Sequence, residues 1–184
     1  MTLPNLITTI RIILAPVFII YLISEQFFSA LIVFLICVVS DGLDGLLARI
    51  FNQKSRLGTF LDPLADKILL VAAFITLGVR RYIPSWLTVL VIARDVMILL
   101  GIFFLFINAR EYKIKPSVIS KINTCLQFVA VLSVLAKDYL TFPSVFYLSV
   151  YYLTALFTIS SGLHYMHYWF QTMGDSVDSH NNIS

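Results

Sequence analysis

Charge is scarce in this chain of 184 residues. Asp, Glu, Lys and Arg together make up 12% of it, hydrophobic residues make up 59%, and the mean hydropathy is +0.91. A soluble domain carries about 25% charged and about 45–50% apolar residues, so the composition excludes a water-soluble globular enzyme. Cysteine is nearly absent: Cys37 and Cys125 both sit in apolar stretches and read as small core residues, with no disulfide framework or metal spacing in view. No run of Lys and Arg occurs and the net charge is only +3, so nucleic acid is not an expected partner. A cleavable leader is not expected either. Arg11 lies inside the first apolar stretch instead of ahead of it, and no small-residue cleavage site follows. The expectation is a protein inserted directly into a bacterial-type inner (plasma) membrane.

What the chain has in quantity is long apolar runs. A membrane span needs about 20 mostly apolar residues. Six segments meet that requirement: Leu6–Ile23 after a short amphipathic lead-in, Phe28–Ile50, Gly58–Gly78, Ile83–Ile107, Val118–Leu135 and Phe142–Tyr165. The fold class expected is all-α, a polytopic membrane bundle of six transmembrane helices forming one domain over residues 1–170. Residues 171–184 are polar and are expected to form a disordered cytoplasmic tail. Nine of the 13 basic residues fall on one side of this arrangement, three (Arg80, Arg81 and Lys137) on the other, and Arg94 lies within a span. The positive-inside rule then places both termini, and the link between the second and third spans, in the cytoplasm.

The ten acidic residues are the informative minority. Asp41, Asp44, Asp62 and Asp66 lie in or beside two apolar segments, where a carboxylate costs about 2.5–3.5 kcal/mol on insertion scales. At about 100° per residue, Asp41, Asp44, Gly45 and Ala48 share an arc of about 100°, with Arg49 at its edge. Gly58, Asp62 and Asp66 step by four and also share a face. A short polar turn joins the two segments, so four carboxylates are expected to converge on one site at the cytoplasmic interface. Hard divalent cations with oxygen ligands relieve the mutual repulsion of such a cluster. Two ions about 3.5–4 Å apart are a known arrangement for displacement at phosphorus. Interfacial salt bridges, such as Asp44 with Arg49, are the alternative for any one Asp. For Gly45 and Ala48 the alternative is helix packing.

The stretch Asp41-Gly-Leu-Asp44-Gly45-Leu-Leu-Ala48-Arg49, followed after eight residues by Gly58-Thr-Phe-Leu-Asp62-Pro-Leu-Ala-Asp66, resembles the signature of the CDP-alcohol phosphatidyltransferases, D-x2-D-G-x2-A-R-x8-G-x3-D-x3-D. All eight fixed positions are matched, and the opening Pro4-Asn5-Leu6 with Arg11 resembles the family too. The resemblance implies transfer of a phosphatidyl group from CDP-diacylglycerol to an alcohol with release of CMP. It implies that Asp41, Asp44, Asp62 and Asp66 hold Mg2+ or Mn2+, two ions in all, and that Asp66 is the catalytic base. Gly45, Ala48, Arg49 and Gly58 would bind the CDP donor, and a homodimer is common in the family.

The acceptor must be read from the second half. Arg94-Asp95 in the fourth span is either an internal ion pair or part of an anionic acceptor site, which Lys115 and Lys121 would complete if they do more than set topology. The segment Lys115-Pro-Ser-Val-Ile-Ser-Lys121-Ile-Asn123-Thr124-Cys-Leu-Gln127, with Arg94-Asp95 and Ser161-Gly162, resembles the eukaryotic-type cardiolipin synthase branch. Asn52-Gln53 and the third span resemble the phosphatidylglycerophosphate synthases, which usually carry Arg-Glu and a further Arg about seven residues on; here no second Arg follows Arg94. Phosphatidylglycerol is therefore the preferred acceptor and glycerol 3-phosphate the alternative. His164 and His167 lack the i, i+4 spacing of a helical metal pair and read as part of an interfacial aromatic belt. A small cation transporter would want acidic residues at midplane on several helices. A membrane prenyl transferase would space its Asp-rich motifs differently.

Overall fold

The computed structural model describes the backbone over residues 3–50, 56–107 and 118–181, and side chains over 13–40, 67–101 and 118–166. Among the described residues there are six helices and no strand: α1 Leu3–Ile23, α2 Phe27–Ile50, α3 Arg56–Val79, α4 Ser85–Ile107, α5 Val118–Leu135 and α6 Ser144–Asn181. Each corresponds to one expected apolar segment. Two boundaries differ in kind. The lead-in expected before the first segment is not separate, because α1 is already helical at Leu3. At the other end α6 continues to Asn181, through most of the stretch expected to be a disordered tail. That stretch is polar but contains no proline, so nothing in its backbone chemistry stops the helix.

The distribution of polarity is inverted relative to a soluble protein. Ile20, Leu35, Ile75, Val89, Leu100 and Leu153 point outward and are exposed, whereas Arg94, Asp95, Asn123, Gln127 and Thr158 are buried. Contiguous apolar outer surface of this kind has no stable interface with water. Among the described residues, two helical segments are long and apolar enough to cross a bilayer, Val118–Leu135 and Ser144–Met166. Ile13–Ile23, Phe27–Ser40 and Lys67–Val79 are shorter apolar helical stretches. Neither cysteine is in a disulfide. Cys37 is in the core as expected, but Cys125 faces outward, because α5 turns its polar residues toward the bundle and its thiol away from it.

The packing is layered from large apolar side chains, with Phe18 of α1, Phe34 of α2, Phe74 and Leu77 of α3 and Leu135 of α5 almost completely enclosed. Helix α1 packs on α2 and α3, α4 on α3 and α6, and α5 on α6, α2 and α3. The α1–α2 and α3–α4 turns are built alike. Glu25 and Arg81 both adopt the left-handed conformation, with φ of 58° and 62°. In the first turn Gln26 N donates to Tyr21 O at 2.9 Å and Glu25 N to Leu22 O at 3.2 Å; in the second Tyr82 N donates to Leu77 O at 2.9 Å and Arg81 N to Gly78 O at 3.1 Å. These are paired 6→1 and 5→2 helix caps, which satisfy the last carbonyls of α1 and α3. Arg80 joins the two turns, donating to Glu25 Oε1 at 2.8 Å and to Ile23 O at 2.6 Å.

Gly78 lies where α3 meets α4. A Cβ there would press into Thr88 Oγ1 and stand 3.0 Å from Thr88 Cβ and Cγ2. Thr88 cannot swing away freely, since its hydroxyl donates to Phe74 O at 3.3 Å. Overpacking at such a contact costs about 1–3 kcal/mol. Gly78→Ala should therefore lower stability by about that amount in detergent unfolding. Adding Thr88→Ala should recover much of the loss.

Candidate active site

The acidic motif lies on the C-terminal end of α2 and the N-terminal half of α3, on either side of residues 51–55 in the sequence. Asp41, Asp44, Gly45, Ala48 and Arg49 fall in the last three turns of α2, and Gly58, Asp62 and Asp66 in the first three of α3. Both stretches are helical, as the three- and four-residue spacings of the motif require. The side chains of these residues lie outside the described residues, as does Lys115 altogether.

The residue after Asp66 is the first described side chain beyond the motif. Lys67 of α3 donates to Asp95 Oδ1 of α4, forming a salt bridge to a carboxylate that is 2% exposed. Arg94, also buried, donates through Nη1 to the same oxygen at 2.7 Å. Its Nη2 reaches Ser120 Oγ of α5 and Ser161 Oγ of α6, each at 2.6 Å. Its guanidinium carbon stands 5.8 Å from the centre of the Tyr165 ring. One polar centre thus joins four helices. Arg94 and Asp95 form an ion pair within α4, and Lys67, the residue beside Asp66, joins it through Asp95. Lys121 does not join it: its side chain is exposed. His164 is exposed and lies edge-on to Tyr165, with ring centres 6.3 Å apart.

Below this centre a column of neutral polar residues continues along the α5–α6 seam. Asn123, Gln127, Thr154 and Thr158 are all at or below 1% exposure. Thr158 Oγ1 lies 2.8 Å from Asn123 Oδ1 and 2.7 Å from Thr154 O, two acceptors for its one proton. In the sequence Asn123, Gln127 and Ser161 stood out only as branch markers. The usable signal was periodic: Ser120, Asn123 and Gln127 on α5, and Thr154, Thr158 and Ser161 on α6, repeat at three- and four-residue intervals in otherwise apolar helices.

Removing one member of a buried ion pair leaves its partner uncompensated and costs about 3–5 kcal/mol. Asp95→Asn should accordingly destabilise the protein by about 3 kcal/mol, read as a fall in the unfolding midpoint in detergent. A substitution at exposed Lys121 should leave the midpoint unchanged.

Residues 1–170 match the CDP-alcohol phosphatidyltransferase family. The chain is 37% identical to a rat protein and 36% identical to a human one, each named cardiolipin synthase (CMP-forming), over 94% of its own length and 63% of theirs. It is 32% identical to a CDP-diacylglycerol–glycerol-3-phosphate 3-phosphatidyltransferase of Aquifex aeolicus, over 73% of this chain and 75% of that one. The chain therefore spans somewhat under two thirds of the cardiolipin synthases it matches, and with its acidic motif intact it belongs to the CDP-alcohol phosphatidyltransferase family.

Proposed function

We propose that this protein is a six-span membrane enzyme that transfers a phosphatidyl group from CDP-diacylglycerol to a glycerol-type alcohol, releasing CMP on the cytoplasmic side of a bacterial-type inner membrane. The observation that carries this reading is the complete acidic motif on two consecutive helix ends, within a family match over residues 1–170. The inverted polarity of the bundle and the nine-to-three distribution of basic residues support the membrane setting and the orientation.

In the proposed reaction the acceptor hydroxyl attacks the phosphorus that bears diacylglycerol. An oxygen–phosphorus bond forms, the bond from that phosphorus to the oxygen of CMP breaks, and CMP departs with the electron pair. Asp66 takes the hydroxyl proton as general base. Asp41, Asp44, Asp62 and Asp66 supply only hard carboxylate oxygens, the donor chemistry that Mg2+ and Mn2+ take. Bound there, such ions would neutralise the charge of the diphosphate and of the departing CMP. Gly45, Ala48, Arg49 and Gly58 would receive the cytidine and its phosphates. Lys67, on the residue following Asp66, is held by Asp95, and this fixes the rotation of α3 at the point where the base must be aimed.

Phosphatidylglycerol is the preferred acceptor. No second Arg follows Arg94 on α4 to meet the doubly charged phosphate of glycerol 3-phosphate. The rat and human relatives named cardiolipin synthase are also more similar to this chain, at 37% and 36% identity, than the Aquifex aeolicus 3-phosphatidyltransferase at 32%. Arg94, Lys115 and Lys121 remain the proposed cationic contacts for that acceptor, and a homodimer the proposed assembly.

The test is CMP release by purified protein with Mg2+ or Mn2+, CDP-diacylglycerol and each acceptor in turn. Turnover is expected with phosphatidylglycerol; turnover with glycerol 3-phosphate alone would overturn the acceptor assignment, and none with any alcohol would overturn the enzyme reading. Chelation should abolish activity and added metal should restore it. Asp66→Asn should reduce kcat by at least about a hundredfold, the lower end of general-base contributions, while donor binding persists.

A further inference from the structure

The column beneath Arg94 has more hydrogen-bonding capacity than the protein uses. Among the described residues, Asn123 Nδ2, both amide atoms of Gln127, Arg94 Nε and Asp95 Oδ2 are buried and have no hydrogen-bond partner. Asn123 and Gln127 are completely enclosed between helices whose outer faces are apolar. A polar seam that served only to hold α5 against α6 would close these bonds across the interface, as Thr158 can with Asn123 Oδ1 at 2.8 Å. Gln127 closes none. Whichever way its amide is turned, it presents one unpaired donor and one unpaired acceptor, which is costly in an apolar interior.

The unpartnered atoms below Arg94 and Asp95 are neutral and mixed. Asn123 Nδ2 and Gln127 Nε2 can only donate, and Gln127 Oε1 can only accept. A phosphate or carboxylate would use the donors and be repelled by Oε1. An apolar chain would use neither. An alcohol hydroxyl, which donates once and accepts twice, satisfies both types. Asn123 and Gln127 are four residues apart on one face of α5, one and two turns beyond Ser120, which bonds Arg94. A molecule whose anionic end lies by Arg94 and whose hydroxyls extend along α5 therefore meets charge first and neutral amides next.

We propose that Asn123 and Gln127 bind the non-reacting secondary hydroxyl of a phosphoglycerol acceptor and so select glycerol over alcohols that lack it. This rests on the transferase reading above. The secondary hydroxyl is common to phosphatidylglycerol and glycerol 3-phosphate, so the inference does not depend on which of them is used. The free hydroxyl donates to Gln127 Oε1 and accepts from Asn123 Nδ2, and the primary hydroxyl is left for Asp66. Ala130 and Val131, both buried, follow Gln127 on α5, and half-buried Ser120 and Tyr165 stand at the Arg94 end, where the acceptor would enter.

The experiment compares acceptors that differ only in that hydroxyl: phosphatidylglycerol against phosphatidyl-1,3-propanediol, and glycerol 3-phosphate against 1,3-propanediol phosphate. Wild-type full-length protein should prefer the glycerol member of its working pair by at least about tenfold in kcat/KM, the scale of one well-made hydrogen bond in a buried site. Gln127→Leu should bring that ratio to about one by lowering the glycerol value, with the KM for CDP-diacylglycerol unchanged. The pair that shows the discrimination identifies the lipid or the soluble source. The same four acceptors are also scored by the shift they cause in the unfolding midpoint of wild type and Gln127→Leu, which requires no turnover and tests the binding even if no CMP is released. Equal response of wild type to both members of each pair overturns the proposal. So does a Gln127→Leu variant that retains the preference, or that loses activity equally with both members. Without acceptor, Gln127→Leu should unfold at or above the wild-type midpoint, since it removes two unpaired buried groups; a lower midpoint would assign Gln127 a packing role instead.

Discussion

A buried carboxylate shared by two cations governs the arrangement of this bundle. Asp95 receives Lys67 from α3 and Arg94 from its own helix, and Arg94 passes the connection to Ser120 of α5 and Ser161 of α6. Taking such groups out of water costs several kcal/mol per ion, and their mutual attraction recovers that only when the geometry is good. As a source of stability the centre is therefore weak. As a source of register it is strong, because sliding or rotating any of the four helices by one residue would break a charged contact inside an apolar bundle. An apolar seam alone would tolerate such a slip at small cost, since one Leu or Val can replace another against it.

The turn end of the bundle is held by different chemistry. There the backbone itself is the problem, since each helix leaves carbonyls without partners at its C-terminus. The left-handed residues Glu25 and Arg81 return the chain so that the next amides reach back to those carbonyls, and Arg80 ties one turn to the other. Aromatic rings fill the space around these turns: Phe27 meets Tyr82 edge-on at 4.9 Å, and Phe142 stacks on Phe146 at 4.4 Å. Between that centre and the turns the contacts are apolar apart from the amide and hydroxyl column of the α5–α6 seam. The bundle is thus pinned by capped turns at one end and by charge midway along α3 and α4, and on the proposed reading the acidic motif lies beside that charge.

The helices were legible in the sequence because each is a long apolar run bounded by polar or turn residues, a signal that depends on neighbours within about twenty positions. The helicity of the motif segments was legible for the same reason. The boundaries at Leu3 and Asn181 were not, because hydrophobicity marks where a helix is buried and not where its hydrogen bonding stops. Cys125 shows a related limit. It lies in an apolar run, but which side of α5 faces the bundle is decided by Asn123 and Gln127, so the thiol between them points outward. The Arg94 centre was half legible. Adjacent Arg and Asp in a span announce a pair, whereas Ser120 and Ser161 lie 26 and 67 residues away and become partners only through packing. Convergence of Asp41, Asp44, Asp62 and Asp66 rests on their spacing on α2 and α3, since their side chains fall outside the described residues.

On the proposed function the polar residues divide by the part of the reaction they would meet. The donor end is acidic, as a site that handles a diphosphate through cations should be. The α5–α6 seam is amide and hydroxyl, apart from the single Arg94 at its mouth. The division follows from the cost of burial. A carboxylate or ammonium deep in the seam would need a permanent counterion, as Asp95 has, and that counterion would occupy the space a substrate needs. An amide can be buried with its bonds open at a smaller cost and can be satisfied by a neutral group that comes and goes. The only neutral donors a phosphoglycerol offers are its hydroxyls. On the proposed reading a site that holds glycerol without consuming its charge complement would be built from Asn and Gln, at a depth where water competes least, and the two unpartnered amide atoms of Gln127 fit that design.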